Sequence, residues 1–94
     1  MIKHIVFTKF ANPEESVPVV REMLEALPAK IPVIRTLETG KDVMHSERSF
    51  DMALIVTVDS LSDLRCYDQH PEHLKVREYI KAHRTASATV DFEF

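Results

Sequence analysis

The stretch Tyr67-Asp68-Gln69-His70-Pro71-Glu72-His73 gathers two imidazoles and a phenol, the groups in this chain best suited to moving a proton. An imidazole titrates near neutrality and a phenolic hydroxyl can donate to a developing oxyanion, so the set suits proton abstraction beside a carbonyl. Pro71 decides how it is presented. A proline cannot continue a helix without losing a hydrogen bond, so the chain is expected to turn at His70 and restart with Pro71 at the first helical position. His73 then lies in a first turn, where the macrodipole and free amides disfavour an imidazolium. His73 is the candidate general base, and Tyr67 the candidate donor to a carbonyl or enolate oxygen.

Two residues far away in sequence belong with this pair. His4 sits on an alternating stretch at the start of the chain, and on a central strand it would face the same side as Val6, towards His73. Asp91 can orient one of the rings, but strand parity alone leaves its direction open. The spacing His70-x-x-His73 also suits a shared metal ion, yet His70 is expected at a helix cap, and no cysteine or carboxylate completes a set. No metal and no cofactor are therefore expected. There is no phosphate-cradling glycine loop, serine nucleophile motif or dinucleotide fingerprint.

The elements that position these residues follow from periodicity. Residues 2–10 alternate, with Ile2, His4, Val6, Thr8 and Phe10 on one face and Lys3, Ile5, Phe7 and Lys9 on the other, as a strand does. Ser16 is the expected N-cap of a first helix, with Pro18 in its opening turn, and the stripe Val17, Val20, Leu24 and Leu27 carries it to a stop before Pro28. Val33 to Gly40 reads as a weaker strand ended by the only glycine, and 41–49 as a loop or an irregular strand end. Phe50 to Asp59 is the clearest strand, with Phe50, Met52, Leu54, Val56 and Val58 on its core face. Ser60-Leu61-Ser62-Asp63 reads as a capping box opening a short helix with Leu61 and Leu64 inward. After Pro71 the positions Val76, Tyr79, Ile80 and His83 form an inward stripe, and residues 86–94 close the chain as a strand.

This order is the split β-α-β-β-α-β arrangement, an α+β ferredoxin-like fold with a four-stranded antiparallel sheet covered by helices on one face. Ile5, Phe7, Ala53 and Ile55 then lie on the uncovered face. Exposing such side chains forfeits about 1.5–3 kcal/mol each, a large share of the roughly 5–15 kcal/mol that stabilises a domain. A homodimer packed sheet on sheet, forming an eight-stranded α/β barrel, removes that cost.

Composition agrees with a single domain spanning residues 1–94. The 94 residues are 45% hydrophobic and 29% charged, too apolar for a disordered chain and too few for two cores. A net charge of -3 and no basic patch argue against a nucleic-acid partner. One cysteine, Cys66, excludes an intrachain disulfide, and no apolar run is long enough for a signal peptide or membrane span. A cytoplasmic protein with no membrane partner is expected.

The opening Ile2-Lys3-His4-Ile5-Val6-Phe7, the turn Gly40-Lys41-Asp42, and above all Tyr67 followed by His70-Pro71-Glu72-His73 resemble the stress-responsive dimeric α/β-barrel domain family over the whole chain. The resemblance implies a ferredoxin-like homodimer. A plant polyketide cyclase of that family, which closes a linear thioester by intramolecular aldol condensation, is similar at His4, Tyr67, His73 and Asp91. The resemblance implies carbonyl polarisation and proton abstraction by the tyrosine and the second motif histidine, with Asp91 and Met52 lining the substrate cavity. Met52 stands where the cyclase has a further histidine, which points away from the same substrate. Three readings follow: a cofactor-independent proton-abstracting cyclase or isomerase acting on a small organic molecule, a non-catalytic ligand-binding or structural dimer, and, by analogy of fold alone, a cofactor-free monooxygenase.

Overall fold

A computed structural model describes residues 1–94. The chain runs β1 (Ile2–Phe10), α1 (Pro13–Glu25), a 3-10 turn (Leu27–Ala29), β2 (Thr36–Lys41), β3 (Met52–Val58), α2 (Leu61–Gln69), α3 (Pro71–His83) and β4 (Arg84–Glu93). The strands form one antiparallel sheet in the order β2-β3-β1-β4. This is the ferredoxin-like arrangement expected, with β1 central. Register places His4 opposite Val56 on β3 and opposite Asp91 on β4.

The helices cover the face that carries Ile2, Phe10, Leu54, Val56 and Val58, and these pack with Val17, Val20, Leu24, Leu27, Tyr67 and Val76 in one buried cluster. Burying large aliphatic side chains at about 25 cal/mol per Å² of apolar surface is the main force holding the layers together. The opposite face has no helix over it. Phe7, Val90 and Phe92 are 42, 61 and 41% exposed there. Ile5, Phe7, Ala88 and Val90 border a groove of about 280 Å³ on that face. Lys3 and Lys9 bracket the β1 stretch, each ammonium lying over an aromatic ring, Phe94 at 4.9 Å and Phe50 at 5.1 Å.

Several local expectations need correction. The first helix begins at Pro13, with Asn12 in the N-cap position but making no side-chain capping bond, and not after Ser16, which is buried inside it. Pro13 at the first helical position gives up no hydrogen bond, and Pro18 is tolerated in the helix because it faces solvent, where water can satisfy the carbonyl one turn back. Gly40 does not end β2: no glycine has positive φ, and Gly40 pairs with Ala53 within the strand. Val33 and Ile34 precede β2 and do not belong to it.

Phe50 lies outside β3, and its ring meets Phe7 at a centroid distance of 5.9 Å on the uncovered face, away from the core face expected for it. The bend at Asp51 explains this. Its carboxylate accepts from the Phe10 amide at 2.7 Å and its own amide donates to the Thr8 carbonyl at 2.9 Å, so strand parity starts only at Met52. Ser60 caps α2 by accepting from the Asp63 amide at 3.1 Å, which is one half of the capping box, and Leu61 points outward while Leu64 packs inward.

Candidate functional site

Three elements deliver the site. Alternation on β1 turns His4 to the helix side, α2 presents Tyr67 from its last turn, and α3 presents His73 from its first. The break between the two helices is made as expected: His70 is extended, its Nδ1 accepts from the Glu72 amide at 3.1 Å, and Pro71 follows as the first helical residue. His70 is therefore used up as a cap.

Tyr67 stands between the two imidazoles. Its ring lies 6.0 Å from that of His4, edge to face, and 4.4 Å from that of His73. The side chain is fully buried, and its hydroxyl has no hydrogen-bond partner. An orphaned buried hydroxyl is costly, about 1–3 kcal/mol, so proteins rarely keep one without a use. Burial, with Asp68 adding to it, raises the phenol far above its ordinary range, which keeps it a neutral donor.

His73 is set for the opposite role. Its Nδ1 is 2.9 Å from the Asp68 carbonyl oxygen, which can only accept, so Nδ1 carries the proton and Nε2 keeps its lone pair. Burial is the largest influence on the ring and lowers its pKa, although the Asp68 carbonyl and carboxylate oppose it. A neutral imidazole with a free acceptor nitrogen results, the form a general base needs.

His4 is oriented from β4. Asp91, whose direction parity had left open, points to the helix side, where its carboxylate accepts from His4 Nδ1 in a very short contact. The cross-strand pairing of His4 with Asp91 is the cause, since directly opposed residues share one face of the sheet. His4 Nε2 is thereby left as the ring's other nitrogen.

Met52 is not brought to this group. Val56 lies across from His4, and four residues of strand at about 3.3 Å each set Met52 roughly 13 Å further along the sheet. There it is buried opposite Thr8 and borders a separate cleft with Phe7, Lys41 and Arg48. Two contributors escaped the reading of the sequence. The carbonyl of Asp68 fixes the His73 tautomer, and helix-end carbonyls without intrahelical partners are the signal that points to it. Asp68 follows Leu64 by four residues and Arg65 by three, so the three share one face of α2, and with His4 and Asp91 they line a cleft of about 240 Å³. No group of three or more histidine, cysteine, aspartate or glutamate side chains is placed to hold a metal ion. No helix is long and apolar enough to cross a membrane.

Comparison with known proteins places these features in context. A model described as the stress responsive A/B barrel domain matches residues 2–94. A dimeric protein of unknown function with a ferredoxin-like fold from Bacteroides fragilis is 37% identical, with 99% of this chain and 95% of that one covered and a TM-score of 0.85. A dimeric ferredoxin-like protein of unknown function from Thermobifida fusca is 26% identical, covering 99% and 90%, with a TM-score of 0.86. Hydroxynitrile lyase from Passiflora edulis shares the fold at a TM-score of 0.83 over 97% of this chain and 90% of its own, with 15% identity. No protein of curated function matches the sequence.

Proposed function

From the premise that this chain belongs to the stress-responsive A/B barrel domain family, we propose that it is a homodimer whose subunits each use His4, Tyr67 and His73 for cofactor-independent proton abstraction from a small carbonyl compound. One observation carries this reading: a buried phenol with no partner lies against a neutral imidazole whose acceptor nitrogen is free. His73 takes a proton α to the carbonyl, the Tyr67 hydroxyl donates to the enolate oxygen that forms, and Asp91 holds the His4 ring in place beside them. The enolate then attacks a second carbonyl, as in a cyclase, or is reprotonated, as in an isomerase. The lone exposed Cys66 fits a reducing compartment, and we assign the protein to the cytoplasm.

The test is uptake of deuterium at the α-carbon of short β-keto thioesters in D2O, followed by NMR. His73→Ala is expected to lose about a hundredfold or more of the enzymatic rate, the usual worth of a positioned base, with the melting temperature changed by only a few degrees. Exchange at the wild-type rate overturns the assignment. If His73→Ala fails to fold, Tyr67→Phe supplies the same test.

A second reading is favoured by a specific observation. Tyr67 is inaccessible, and neither it nor His73 is among the residues lining the clefts described above, which supports a non-catalytic ligand-binding or structural dimer. The hydroxynitrile lyase and an antibiotic biosynthesis monooxygenase, each 15% identical, share the fold alone and favour neither reaction.

A further inference from the structure

We infer that Arg65 selects an anionic substrate, a small carboxylic acid bearing the reactive carbonyl, and holds its carboxylate at the mouth of the cleft that leads to His4. This deepens the reading of the His4, Tyr67 and His73 site and rests on it.

His4 borders a cleft that it shares with Leu64, Arg65, Asp68 and Asp91. The Tyr67 ring lies 6.0 Å from that of His4 and the His73 ring 4.4 Å from that of Tyr67, so His4 is the ring of the three that a molecule held in this cleft would meet. The charges around the cleft are unevenly matched. Asp91 is held by His4, and Asp68 lies 3.7 Å from Arg77. Arg65 is the one arginine or lysine among the five lining residues, and it makes no ion pair and no side-chain hydrogen bond, which leaves its donors free for an incoming carboxylate. A planar fork of donors is the group best suited to a bidentate carboxylate, and it gives direction as well as attraction. Leu64 supplies the apolar wall for a short carbon chain. The volume of about 240 Å³ suits a molecule of small size, below the range of roughly 300–1,000 Å³ typical of drug-sized ligands.

The probes are acetoacetate and its uncharged methyl ester, titrated into isotopically labelled full-length protein while the His4 ring and Arg65 side-chain resonances are followed by NMR. Acetoacetate is expected to shift both sets and to bind about tenfold more tightly than the ester. Arg65→Ala should weaken acetoacetate about tenfold and leave the ester unchanged, and Arg65→Lys should restore part of the difference. Rising salt should weaken only the acid, as expected for a partly exposed charge pair. Equal binding of acid and ester, or an unchanged acid affinity in Arg65→Ala, overturns the anion assignment while the cleft and its His4 contact stand. If neither probe shifts His4, the role of the cleft falls as well. Loss of deuterium exchange in His73→Ala remains a separate readout of the chemistry.

Discussion

Tyr67 shows a stability cost kept at a single atom. Its ring contributes to the core between His4 and His73, whereas its hydroxyl is buried with no acceptor, and removal of an unsatisfied group of this kind is worth about 1–3 kcal/mol at most. Tyr67→Phe is therefore expected to raise the melting temperature by several degrees while abolishing proton abstraction, measured by calorimetry and by α-deuterium uptake on the same preparation. A variant that is less stable and still active would show that the hydroxyl is neither orphaned nor used. His73 gives a prediction in pH. Burial lowers its folded pKa below the ordinary imidazole value, so the unfolded chain binds the proton more readily. Its stabilisation is therefore fully present above the unfolded value, near 6.5, and is lost as pH falls from there through the folded pKa. Urea midpoints measured between about pH 5 and 8 should decline on the acid side, and His73→Gln should flatten that part of the curve. Activity should follow the same limb, because only the neutral ring accepts a proton.

The junction of α2 and α3 gives each histidine of the His-Pro-x-His element its own task. His70 caps α3 by accepting from the Glu72 amide, while His73, one turn later, points into the site. His70→Ala should cost about 1 kcal/mol of stability, the usual value of a lost N-cap, and His70→Ser should recover most of it. Proton abstraction should survive both changes, whereas a metal-binding or catalytic role for His70 would make both inactive. This junction was readable in advance because Pro71 acts locally: it alone forbids a continuous helix and names the residue before it as the cap. The strands β1 and β3 were readable for a similar reason, since alternation is strict where one face meets a core. What could not be read depends on pairing between distant segments. Asp91 reaches His4 only through the register of β4 on β1, which shifts between Lys9 and Phe10, and Phe50 leaves the core face because Asp51 is tied to Thr8 and Phe10 across the sheet. The position of Met52, far from His4, is likewise fixed by β3 register against β1. The start of α1 is not fixed by Pro18, because an outward-facing proline can sit inside a helix as well as in its first turn.

On the scale of the whole molecule, the sheet has one face sealed by helices and one left open. Ile5, Phe7, Ala53, Ile55, Ala88 and Val90 lie on the open face, and Phe7 and Val90 remain substantially exposed. An apolar surface spread over three adjacent strands cannot be satisfied by the flanking lysines, whose ammonium groups lie over Phe50 and Phe94 at its margins. A second copy of the same face would supply the missing cover, and a two-fold axis would make such a surface self-complementary. The relatives from Bacteroides fragilis and Thermobifida fusca, both dimeric, support this assembly. The wild type is expected to sediment as a dimer at micromolar concentration. Val90→Lys should give a monomer that melts lower, because it puts a charge into the apolar face of each copy and removes apolar area available for burial. Leu74→Lys, on the outer side of α3 where the side chain is 42% exposed, should leave the dimer intact. A wild type that sediments as a monomer, or a Val90→Lys variant that stays dimeric, would place the interface elsewhere. Since His4 and Asp91 face the helices, dissociation should reach the site only indirectly, through the edge strand β4 that carries Asp91. The monomeric variant should therefore keep its His4 ring resonances close to those of the dimer while losing stability.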